Sequence, residues 1–269
     1  MPRLLPLLLS LWLAPLGGAE PRAPLPPELL EDEHLREELG VNALTTPSIR
    51  KLFEELEALA PLPYARLRPE IPESVPADRL LIALQLGRMV ADGFLVVQEE
   101  KLQDLEPLSR SILKFSKALG AGDRVKANAK SIIENAALGN TGSLKESLAK
   151  AQMDVEREML ELRDVDLAHL IALGGWVRAV VITGEAVLTD FQPEKAALLT
   201  RPDLVEYFLQ RLEEFAPYLG EHATLDALRK EISTLRSQVD LPDIRPVQAA
   251  EVQAILATAK RMDGLLLGE

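Results

Sequence analysis

Residues 167–188, LAHLIALGGWVRAVVITGEAVL, carry only three ionisable side chains, His169, Arg178 and Glu185, in 22 positions. At about 1.5 Å per residue a helix of this length reaches roughly 33 Å, enough to cross a domain. On a 3.6-residue wheel Ala168, Ala172, Gly175, Ala179 and Ala186 fall in one narrow stripe, where the missing bulk lets a second helix approach. Large apolar residues occupy most of the remaining circumference, so the helix is expected to be buried nearly all round.

A second stretch of the same kind, LLIALQLGRMVADGFLVVQ at residues 80–98, has its own small row in Ala83, Gly87 and Ala91. The two small stripes are expected to pack on each other, with Gly175 or Ala179 close to Gly87 or Ala91. In this second helix Asp78, Gln85, Arg88, Asp92 and Glu99 cluster away from the small row, which reads as a solvated face. The motif LIAL occurs in both helices, at 81–84 and 170–173, but Leu and Ala are so frequent here that coincidence explains it better than duplication.

Composition agrees with helices packed through aliphatic side chains. The 269 residues are 47% hydrophobic but only 4% aromatic, and no run of alternating residues with glycine turns points to a sheet. The reading is an all-α bundle of about eight or nine helices around two long apolar stretches, at about 78–104 and 143–189. The second is long enough that a bend or break is expected near Arg163 to Leu167 or at Gly174-Gly175.

The remaining boundaries follow from prolines, glycines and caps. Thr46-Pro47 opens a helix through Leu59, and prolines at 61, 63, 69, 72 and 76 make the next segment an irregular crossover. Pro107 begins a helix ending at Gly120, Asp123–Leu138 is the next, and Ser143 with Glu146 resembles a capping box. Further on, Pro193 opens a short turn, Thr200 with Asp203 and then Thr224 are expected to cap two helices, and a last helix runs from Pro246 to about Met262.

The first 19 residues combine Arg3, an apolar run from Leu4 to Leu16 and small residues at Gly17 and Ala19, the three parts of a secretory signal peptide. Residues 20–27 hold four prolines and read as an extended tether, leaving 28–269 as a single all-helical domain. Cysteine is absent, which excludes disulfides, thiolate metal sites and cysteine nucleophiles. Removing the leader with Arg3 takes the formal charge from −12 to −13, and no Lys/Arg run could track a phosphate backbone, so nucleic acid is not an expected partner. With no cysteine to lipidate, the expected product is soluble, periplasmic or secreted, with no integral membrane span after signal cleavage.

Reactive chemistry is scarce. His169 lies on an apolar face and reads as a hydrogen-bonded core residue, while His34 and His222 read as surface residues. Glu31 with His34 and Asp166 with His169 have the acidic-x-x-His spacing of di-metal bundles, a cheap pattern in a chain with 42 acidic residues. Arg178 and Glu185 share one line of the central helix and either face a solvent strip or pair with other helices. No residue is therefore assigned a catalytic, cofactor-binding or metal role. The leading expectation is a non-catalytic scaffold that binds a protein or a small apolar ligand in a groove between helices. The competing one is a metal-dependent or hydrolytic enzyme with its site near Asp166 and His169.

Overall fold

The structure, a computed structural model, describes residue 54 and residues 56–162, 164–215, 222–241 and 245–268. The expected leader and tether, and the expected opening of the domain at 28–53 with Glu31 and His34, lie outside the described residues. Among those described there are no strands and eight helices longer than a single turn. They are α1 (Arg79–Gln98), α2 (Leu105–Leu119), α3 (Gly122–Ala137), α4 (Thr141–Glu161), α5 (Val165–Thr189), α6 (Pro202–Glu214), α7 (Ala223–Val239) and α8 (Ala249–Leu267).

The two apolar stretches become α1 and α5. Either is long and apolar enough to cross a membrane, and both are buried in the middle of the bundle. They run parallel, because contacts between them occur in the same order along each: Arg79 with Asp164, Leu84 and Gly87 with the Ile171–Gly175 turn, and Asp92 with Arg178. Helices α2, α3 and α4 pack in succession on one side of this pair, while α6, α7 and α8 pack in succession on the other. Parallel neighbours need a long return, and α2–α4 supply it.

Missing side chains create the central contact. A Cβ built on Gly87 would lie 1.8 Å from the carbonyl oxygen of Ile171 and 2.9 Å from the amide nitrogen of Gly175. One built on Gly174 would lie 2.0 Å from the carbonyl oxygen of Leu84. Gly87 and Gly175 therefore do meet, as the small stripes require. The seam on α5 is turned from the expected row, however: Gly174 is part of it, whereas Ala179 lies in an apolar crevice facing α6 and α7. Arg178 and Asp92 decide the rotation, since their bond places that side of α5 against α1.

The long 143–189 stretch breaks between Glu161 and Val165, and Gly174-Gly175 stays helical. Helix α1 stops at Gln98 rather than near 104, where Glu100 takes a positive φ of 55° and a separate short turn, Leu102–Asp104, leads into α2. The proline-rich crossover holds one helical turn, Tyr64–Leu67, in the interval between Pro63 and Pro69. Asn140, not Ser143, caps α4, its Oδ1 accepting from the Ser143 amide at 3.3 Å. His222, not Thr224, caps α7, its Nδ1 accepting from the Thr224 amide at 3.2 Å. At α6 the Thr200 hydroxyl donates back to the Ala197 carbonyl, and Asp203 pairs with Arg201. The last helix starts at Ala249 behind a capping box of Gln248 with Glu251 and continues to Leu267.

Candidate functional site

The polar stripe on α1 is a stripe, but solvent does not face its middle. Gln85, Arg88 and Asp92 are 5%, 2% and 0% exposed. The reading of Asp92 as a solvated residue is thus overturned. The crossover and α8 cover this side of α1 and present groups of matching polarity.

Four charges meet there. The Arg178 Nε donates to Asp92 Oδ1 at 2.7 Å, and the Arg88 Nη1 donates to Asp92 Oδ2 at 3.1 Å. Arg88 also grips Asp263 of α8 with two parallel bonds, Nε to Oδ1 at 2.8 Å and Nη2 to Oδ2 at 3.1 Å. Arg178 reaches the same carboxylate from its Nη1 at 3.4 Å. Two further donors go to backbone carbonyls of the crossover, Arg178 Nη2 to Leu67 at 2.6 Å and Arg88 Nη1 to Glu70 at 3.2 Å.

Two guanidiniums and two carboxylates leave the cluster neutral, as burial demands. Burial pushes the Asp92 carboxyl upward, against the opposing pull of Arg178 and then Arg88. Burial also disfavours the charged form of Arg88, but the Asp92 and Asp263 carboxylates outweigh it and hold the guanidinium charged. Each carboxylate oxygen already accepts from a guanidinium, so the cluster joins α1, α5, α8 and the crossover rather than offering a free base.

Glu185 completes the answer for the charged line of α5. It pairs with Lys260 of α8 and with Arg66 of the crossover, the latter at 3.4 Å, so both Arg178 and Glu185 bind other elements and neither faces a solvent strip.

His169 is 4% exposed and its Nδ1 shares a hydrogen bond of 2.9 Å with the Tyr207 hydroxyl. It is the hydrogen-bonded core residue its position implied. Around it, Trp176 stacks on Phe208 at 4.8 Å, Tyr207 meets Phe208 edge-on at 5.0 Å, and Arg211 lies over the Tyr207 ring at 5.9 Å. His222 is only partly exposed and bonds Asp78 through Nε2 at 2.6 Å. With Nδ1 accepting a backbone N–H, this imidazole holds the start of α7 and ties it to Asp78, which itself caps α1. Among the described residues no three His, Cys, Asp or Glu side chains converge as a metal-binding set.

Two concavities accompany these groups. One is an apolar crevice between α5, α6 and α7, lined by Leu56, Trp176, Ala179, Leu199, Val205 and Leu235 among others, with about 30 Å³ of free space. The other, about 530 Å³, lies where the crossover passes over α1 and the end of α8.

No family model, curated protein or solved structure matches this chain. Function must therefore be argued from these groups alone.

The sequence missed the cluster because it lacked a partner for each charge. Two signals were available: Arg88 and Asp92 stand one helical turn apart, and Asp263 interrupts an otherwise apolar end, MDGLLL. A lone acid in the buried row of a final helix asks for a cation elsewhere in the core.

Proposed function

We propose that this chain is an exported, soluble helical scaffold that binds a small apolar ligand in the crevice beside Trp176. The observation that carries the reading is the lining of that crevice. Aliphatic side chains from three helices converge there around one tryptophan, with Thr183 and Arg201 as the polar members of the lining. Ligand sites of this kind are mostly apolar, with a few polar groups that set orientation. Thr183 spends its hydroxyl on the Ala179 carbonyl, and Arg201 is paired with Asp203, so neither is poised for proton transfer. The present free space suits about one water, so entry of a ligand requires α6 and the Ala197–Leu199 turn to move outward.

Export rests on the leader, with mature protein beginning at Glu20. After cleavage α1 and α5 serve as the core of a soluble bundle rather than as membrane spans, a role their burial and internal charge pairing support. The enzyme reading near Asp166 and His169 is not favoured, since the imidazole is buried and bonded to Tyr207.

The test is titration with the uncharged apolar fluorophore N-phenyl-1-naphthylamine while Trp176 emission is followed. The expected result is saturable quenching with energy transfer to the probe, abolished by Ala179→Leu, which fills the crevice. Unsaturable binding, or binding unaffected by Ala179→Leu in a folded protein, refutes it.

A further inference from the structure

The second concavity differs from the first in chemistry. Its outer wall is the crossover, with Glu70, Glu73 and Ser74, and its inner wall is Leu81 and Gln85 of α1 with Leu267 of α8. Ile71, Pro72 and Pro76 make the rest of the wall apolar, and no Lys or Arg lines it.

Gln85 supplies an independent observation. Its Nε2 donates to the Leu266 carbonyl at 2.8 Å, which fixes the amide orientation, because the flipped form would set two oxygens against each other. Its Oε1 is buried and accepts no hydrogen bond. A buried amide oxygen without a donor is costly. The neighbouring cation is engaged elsewhere, since Arg88 makes four bonds to Asp92, Asp263 and the Glu70 carbonyl.

We infer that this pocket is a binding site for an organic cation that donates N–H bonds from an apolar body, a primary alkylammonium of the aliphatic-amine class. The polar groups of the lining are two carboxylates, a hydroxyl and an orphan amide oxygen, which together call for positive charge and donors. The apolar remainder of the wall fits a hydrocarbon chain better than a hydrated metal ion, which would prefer oxygen on all sides. A volume of about 530 Å³ lies within the usual range for small-molecule sites. In this proposal the Glu70 and Glu73 carboxylates balance the ammonium charge, and the buried Gln85 Oε1 is the acceptor for one of its N–H groups.

The experiment is calorimetric titration of the full mature protein with n-hexylammonium, n-hexanol, n-hexanoate and calcium chloride. Saturable one-to-one binding of hexylammonium is expected, at least tenfold tighter than hexanol, with no binding of hexanoate. The pair Glu70→Gln and Glu73→Gln, both at exposed positions and checked for an intact fold by circular dichroism, should weaken it tenfold or more. Gln85→Met should weaken it several-fold while leaving hexanol unchanged. Equal affinity for hexanol, indifference to the double glutamine variant, or displacement of hexylammonium by stoichiometric calcium would each overturn the proposal. Because the crevice beside Trp176 is lined by other residues, Ala179→Leu should leave hexylammonium binding untouched, which separates this site from the one proposed above.

Discussion

Replacing Gly87 by alanine adds one methyl group at the tightest point of the molecule. The new carbon would stand 1.8 Å from the Ile171 carbonyl oxygen, a backbone atom that cannot rotate away. Restoring an ordinary contact near 3.4 Å requires α1 and α5 to part by roughly 1.5 Å, and a gap of even 0.5–1 Å forfeits about a quarter to a half of each dispersion contact along the seam. The same displacement stretches the Arg178–Asp92 bond, which is 2.7 Å in the native protein. Overpacking of this kind costs about 3 kcal/mol at the upper end of its usual range, against which alanine returns up to about 1 kcal/mol of helix propensity. The net expectation is destabilisation by about 2 kcal/mol or more.

Urea unfolding of protein beginning at Glu20, which leaves Trp176 as the one tryptophan, reads this directly by fluorescence and far-ultraviolet circular dichroism. With a slope of about 2–3 kcal/mol per molar urea, the midpoint should fall by roughly 1 M. Gly142→Ala is the control: it lies in α4 with its nearest neighbour, Asn140 Oδ1, 3.9 Å from the added carbon, and should be neutral or slightly stabilising. A Gly87→Ala protein as stable as the parent would refute the close-packed seam.

Other perturbations discriminate the remaining contacts. Asp92→Ala strands Arg88 and Arg178 with one carboxylate between them and should cost about 3–5 kcal/mol, measured in the same unfolding assay. Tyr207→Phe removes one partner of His169 and should cost about 0.5–1.5 kcal/mol, with little change in Trp176 emission. Glu251 is held down to about 2 by Arg245 and by the Gln248 amide. A depressed carboxylate contributes stability above its unfolded value near 4.5 and loses it as pH falls towards 2, so the stability difference between parent and Glu251→Gln should be full at pH 7 and vanish near pH 2. Mass analysis of exported material should find a chain starting at Glu20, and an intact Met1 would remove the export reading.

Helices were legible wherever apolar spacing and punctuation agreed. Leu108, Ile112, Phe115 and Leu119 are all buried on α2, and Gly120 ends it with a φ of 100°. The caps were less legible, because Asn140 and His222 start their helices two or three residues ahead of Ser143 and Thr224, and only the backbone path decides where the first turn begins. The central pairing could be read from its small residues, but its rotation could not. That depends on Arg178 meeting Asp92 across 86 residues, a contact no local pattern carries. The same limitation misplaced the polar face of α1. Amphipathicity reports that one side differs from the other, and it is silent on whether water or a complementary protein surface lies beyond it.

The buried cluster also bears on the order in which the chain can fold. Arg88, Asp92 and Arg178 all precede residue 179, yet the charge that balances them is Asp263 of α8, 175 residues beyond Arg88. Until α8 arrives to cover this side of α1, the paired α1 and α5 carry one unbalanced positive charge that only water can solvate. A dry centre is thereby deferred until α8 packs, so consolidation of the core waits on a contact that spans 175 residues.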